Sequence, residues 1–162
     1  MPLTFNVRHL AEVPLVLRGE LPASELDMDG LDDLIHVDRP LSYELEAQEV
    51  DGGLLVQGQL LIRLACDCSR CLKRFDFDLT LDPWACLLAT QGEDAVEIHN
   101  DLVDLTPHVR EDILLAFPQH PLCDDACSGL PAAALNRPPL AGGEVLTEGI
   151  PSVWGELDKL KL

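Results

Sequence analysis

Positive charge is scarce in this sequence. Eleven lysine and arginine residues stand against 29 aspartate and glutamate residues over 162 positions, a formal net charge of −18. Phosphate carries the same sign, so most of the surface repels nucleic acid and favours basic protein partners. Long apolar runs are missing too. None approaches the roughly 18 to 20 residues that cross a bilayer, so no membrane partner is expected. The opening stretch MPLTFNVRHLAEVPLVLRGE has no basic start, apolar block or small-residue cleavage site. The chain is therefore expected in the cytoplasm, with its thiols reduced.

Catalytic signatures are equally thin. Gly52 and Gly53 precede no helix that could cradle a phosphate. His9, His36, His99 and His108 have no serine or cysteine arrangement that makes a nucleophile. Asp124 and Asp125 read as exposed loop carboxylates, and Glu111 and Asp112 as the solvent face of a helix. No internal repeat occurs. Neither an enzyme nor a small-molecule substrate is expected.

What is present is a core. Hydrophobic residues make up 47% of the chain. VPLVLRGE reads as a strand. Residues 21–38 are acidic and turn-rich, with one short helical turn at Leu31, Leu34 and Ile35. In SYELEAQEV, Tyr43, Leu45 and Ala47 alternate with polar neighbours, and the DGG at 51–53 predicts a tight hairpin. Leu54, Val56, Leu60, Ile62 and Leu64 then share one face, with Gln57, Gln59 and Arg63 on the other. Phe75, Phe77, Leu79 and Leu81 repeat the alternation against Arg74, Asp76, Asp78 and Asp82. A period of two predicts half-buried antiparallel strands, the second bent at Pro83. One helix follows, capped by Thr106 with Pro107 at its first position, its apolar face Leu105, Val109, Ile113, Ala116 and Phe117. Pro118 ends it. The expected architecture is α+β: an antiparallel sheet curled toward a barrel, one main helix and a C-terminal tail. A single domain spans 1–127. A flexible tail covers 128–162, with a short docking segment at Trp154, Leu157 and Leu160.

The stretch CDCSRCLKRF, at the turn between the two long strands, concentrates sulfur and positive charge. Arg63, Arg70, Lys73 and Arg74 face only Asp67 within their window. They are candidates for contact with a partner or with RNA. Cys68-x2-Cys71 can place two sulfurs on one metal, and Cys123-x3-Cys127 beyond the helix can supply two more. Zinc is the candidate cofactor, with His120 a reserve ligand. A dithiol redox reading is weaker. That chemistry sets its cysteines at a helix N-terminus, and this pair lies between strands. Cys66, on the face of Ile62 and Leu64, and Cys86, within WACLLA, read as small core residues.

LACDCSRCLKRF followed by DLVDLTPHVREDILLAFPQHPLC resembles the YceD family of bacterial and plastid proteins. Cys68-Ser69-Arg70-Cys71 stands at the family's cysteine turn. Asp104, Glu111, Ile113, Leu114, Leu115 and Pro118 match its helix signature, and Cys123 and Cys127 its later cysteines. The closing LDKLKL is similar to its end. Many relatives carry a further cysteine pair where this chain has Pro131 and Ala134 after Gly129 and Leu130, which leaves the two pairs above. The resemblance implies a non-catalytic role in synthesis, processing or stability of 23S ribosomal RNA. The expected partner is a ribosomal protein or pre-50S assembly factor, with RNA contacted locally or indirectly.

Overall fold

The computed structural model describes residues 2–10, 13–93 and 95–130. The chain divides into one unit at Met1–Gly129 and another at Leu130–Leu162; the architecture below belongs to the first. The expected tail from residue 131 onward, and the docking segment at Trp154, Leu157 and Leu160, lie outside the described residues.

The main antiparallel sheet contains β2 (Leu15–Leu21), β3 (Ile35–His36), β4 (Leu41–Val50), β5 (Gly53–Asp67) and β6 (Arg74–Ala89). At its centre β5 is paired with β6 along one edge. On the other edge it meets β4 over its first part and β3 near its end. Outside β4 lies β2. The sheet is open: β2, β6 and the short β3 each pair on one side only, and no strand among the described residues joins β2 to β6 into a barrel.

Alternation along β5 follows the sequence pattern. Leu54, Val56, Leu60, Ile62, Leu64 and Cys66 are buried, while Gln57, Gln59 and Arg63 are exposed. Burial of each large apolar side chain here is worth about 2 kcal/mol. Between β4 and β5 the chain turns at Asp51 and Gly52, where Gly52 has φ +86. Gly53, expected as part of the turn, already belongs to β5.

The bend expected at Pro83 is a β-bulge. Gly58 pairs with Trp84 and Leu60 with Leu81, so both Asp82 and Pro83 sit against Gln59. One extra residue flips every later side chain to the opposite face. Phe75, Phe77, Leu79 and Leu81 therefore pack inward before the bulge, and Trp84, Cys86 and Leu88 after it. Opposite the bulge Gly58 has φ +151 and runs against β4. A Cβ there would lie 2.9 Å from Leu45 Cα and overlap the Glu44 carbonyl.

α2 (Thr106–Leu115) packs Val109 and Ile113 into the same core as β5. Its N-cap is Leu105, not Thr106. Thr106 lies one position inside, donates its N–H to Asp104 Oδ1 at 2.8 Å, and accepts the Leu3 N–H on its hydroxyl at 2.9 Å. That second bond anchors β1 (Thr4–Asn6), which with β8 (Leu102–Asp104) and β7 (Ile98–His99) forms a small sheet in the order β1-β8-β7. The helical turn expected at Leu31, Leu34 and Ile35 does not form. The Asp32 carboxylate accepts the N–H groups of Leu34 and Ile35 at 2.7 and 3.0 Å, a side-chain turn that competes with helix and delivers Ile35 to β3. The single turn α1 (Ala23–Leu26) lies upstream, its terminal carbonyls bonded by Arg110 of α2.

Asp112 was expected on the solvent face of α2. It is instead half-buried and accepts the Trp84 indole N–H at 2.7 Å, joining helix to sheet just past the bulge. Trp84→Phe keeps a smaller aromatic ring and removes the donor with part of the buried indole, so its cost is at least that of the bond. Hydrogen bonds to charged groups are worth about 2 kcal/mol. The expected loss of that order is read from the urea midpoint, and an unchanged midpoint would deny the bond any structural part.

Candidate metal centre

β5 and β6 carry core residues, Cys66 and Phe75, almost to their ends, and the loop between them turns back in a tight knuckle. The Cys68 N–H donates to Lys73 O at 3.0 Å, and the Leu72 N–H to Cys68 O at 2.9 Å. Leu72 takes the left-handed conformation, φ 60, to redirect the chain into β6. These bonds point Cys68 and Cys71 to the same side. After α2, Pro118 and Pro121 carry the chain back beside the knuckle. The Ser69 N–H donates to Pro121 O at 2.8 Å, and the Arg70 guanidinium to Cys127 O at 3.0 Å. The Asp124 carboxylate accepts the Ala126 N–H at 2.7 Å, closing the turn that presents Cys127.

The result is a four-sulfur cluster. Cys68, Cys71, Cys123 and Cys127 have ligand atoms all within 4.8 Å of one another. Cys71 Sγ is 3.6 Å from Cys123 Sγ, and Cys68 Sγ is 3.9 Å from Cys127 Sγ. All four are free thiols. Zinc–thiolate bonds of about 2.3 Å in tetrahedral geometry put sulfurs about 3.8 Å apart, and these two separations straddle that value. The donor set also suits the ion, since soft thiolates select zinc or iron–sulfur centres over hard cations. Four protein sulfurs leave no open position, which marks a structural site. His120, the reserve ligand, is exposed and stands outside the cluster.

The electrostatics are those of a crowded thiol group. Cys68 is fully buried, yet its thiol is lowered to about 6, first by the Cys123 backbone N–H and then by the N–H groups of Cys71 and Arg70. Cys123 is raised to about 12, by its hydrogen bond with Cys71 and by burial. The Gly129 N–H pulls Cys127 down, but burial and the Cys71 and Cys68 thiols outweigh it and leave that thiol raised. Peptide dipoles thus favour one thiolate, and the remaining thiols resist ionising beside it. A cation between them would remove that conflict.

The four expected contact cations divide. Arg63 forms a bidentate pair with Asp78 directly across the ladder. Arg74 lies 3.4 Å from Asp67, which also meets His36 Nε2 at 3.1 Å. The His36 hydrogen bond is the main reason the Asp67 carboxyl sits below its ordinary range. Arg70 is engaged with loop carbonyls. Lys73 is exposed and has no ion pair among the described residues. Sequence windows count only near neighbours, so they pass over Asp78, which strand register alone brings to Arg63. Cys66 is buried in the core as read; Cys86 is half-buried against it, and burial raises both thiols.

An open antiparallel sheet backed by one helix, with a four-cysteine knuckle where the chain after the helix returns to the central hairpin, defines an α+β protein with a thiol-rich structural site. Residues 56–161, more than half of the chain, match the family described as large ribosomal RNA subunit accumulation protein YceD. The chain belongs to that family. No curated protein and no solved structure matches it. Among the described residues no helix is long and apolar enough to cross a membrane.

Proposed function

We propose that this protein is a cytoplasmic, non-catalytic assembly factor for the large ribosomal subunit. It supports synthesis, processing or stability of 23S ribosomal RNA by holding a basic ribosomal or pre-50S assembly protein. Zinc, bound by Cys68, Cys71, Cys123 and Cys127, pins the knuckle to the segment after α2. Family membership is the observation that carries the ribosomal part. The net charge of −18 favours a basic protein over RNA as the main contact. The sulfur spacing supports the zinc. RNA contact is local at most. It centres on Lys73 with Arg70, Arg74 and Arg63 beside it, since three of those four side chains are already engaged within the fold.

The test has two arms. Cells lacking the protein should lose 23S relative to 16S RNA and regain it with the native gene. Tagged protein captured at low salt should bring down pre-50S particles or a basic ribosomal protein. A normal RNA ratio in the deletion, or captures free of both, would refute the ribosomal reading. Purified chain should contain about one zinc, lost in Cys68→Ser. Metal-free folded protein would refute the zinc alone.

A further inference from the structure

The long outer edge of β6 is the surface on which the fold and the charge agree. Its phase follows from two bonds. The Cys68 N–H reaches Lys73 O, toward β6, while the Asp67 N–H reaches Leu34 O, on the other side. Main-chain groups alternate in direction along an antiparallel strand. Even residues of β5 therefore bond β6, and their partners there are the odd residues Phe75, Phe77, Leu79 and Leu81. The even residues Arg74, Asp76, Asp78 and Thr80 turn their N–H and C=O groups outward. No backbone partner for these groups exists among the described residues.

Those same residues carry their side chains on the exposed face. Asp76 and Asp78 thus form an acidic row beside an unpaired edge. We propose that this edge takes an extended, alternately basic protein segment by strand addition. The proposal rests on the reading of a basic partner and assigns its docking place. The incoming strand would bond the main chain at Asp76, Asp78 and Thr80. Its lysines or arginines, at every second position, would face the two carboxylates across the ladder. Asp78 is paired with Arg63, and Asp76 with Arg39 at 3.2 Å. Exposed pairs of this kind contribute little to stability, and each carboxylate keeps lone pairs for a second cation. A second copy of this chain is disfavoured in the registers centred from Asp76 to Asp78, which oppose aspartate to aspartate. RNA is disfavoured at this edge because it offers no row of main-chain N–H and C=O groups to pair with it.

The probe is a ten-residue peptide alternating lysine with valine, and its glutamate–valine counterpart is the control. At saturating lysine peptide, hydrogen exchange at the Asp76, Asp78 and Thr80 amides should slow at least about tenfold. The amides of Phe77 and Leu79, already bonded to β5, should not change. Asp76→Lys with Asp78→Lys should weaken binding at least about tenfold. Thr80→Pro removes an outward donor that the ladder with β5 does not use, and should abolish binding with the charges intact. If that variant fails to fold, a peptide N-methylated at alternate residues makes the same test and should not bind the native protein. Unchanged exchange, equal binding by Thr80→Pro or by the methylated peptide, or edge amides already protected in the free chain would each overturn the proposal. Native protein and Thr80→Pro capturing the same basic ribosomal protein equally well would sink the edge while sparing the ribosomal role. A native protein that captures none would sink the role itself.

Discussion

On the proposed zinc reading, a chelator, or the replacement of Cys71 by serine, should free the chain around 119–129 while the sheet stands. The reason is the economy of contacts in that segment. Apart from the sulfurs it is tied to the knuckle by the Ser69–Pro121 and Arg70–Cys127 bonds. Pro121 is buried and Leu122, Cys123 and Cys127 are half-buried, but Asp124, Asp125, Ala126 and Ser128 are exposed, so apolar burial holds the segment mainly at Pro121. A ligand bound only by the closed form stabilises it by about 2.7 kcal/mol when free ligand is at 100 times its Kd. Protection of the Ser69 amide, whose bond breaks when the segment lifts, should then fall about 100-fold on chelation. Core amides such as Ile62 should exchange as before. Amide exchange read with and without chelator decides the matter, and identical protection at Ser69 in both would remove metal from the account of this segment.

A change at Gly58 should do greater damage to the sheet itself. Alanine there meets two obstacles: φ of +151 and the neighbouring strand, with Leu45 Cα 2.9 Å from the added carbon and the Glu44 carbonyl nearer still. Both neighbours are backbone, so relief requires β4 to shift along part of its pairing with β5. The expected cost is about 4 kcal/mol, a large part of a typical domain's stability. Gly52→Ala is the comparison. It carries a positive φ of +86 with nothing within 4 Å of the added carbon, and should cost about 1 kcal/mol. Denaturant midpoints for both variants separate strain of conformation from collision. Equal losses would mean that the close approach of β4 contributes nothing.

The regular part of the fold could be read from residue order because period-two burial is a local signal. Leu54 to Leu64 declared their inward face, and cysteine spacing singled out the four thiols whose sulfurs lie within 4.8 Å of one another. Features that depend on register were hidden. Pro83 gave a bend but not the change of parity that sends Trp84 inward. Asp112 looked solvent-facing because helical spacing alone does not reveal the indole waiting at 2.7 Å. The strands β1, β3, β7 and β8, of two or three residues each, are too short to show a period. Asp32 was counted with the acidic turn formers, and its capture of two backbone N–H groups cost the expected helical turn.

The thiol quartet also sets an order of events. Cys71 and Cys123 are separated in the chain by all of β6, both short strands and α2. The sulfurs can meet only after that intervening stretch has wrapped into place, since loop closure over such a span must be offset by contacts made inside it. On the proposed zinc reading, metal capture is therefore a late event in maturation, and loading would distinguish finished molecules from those still folding.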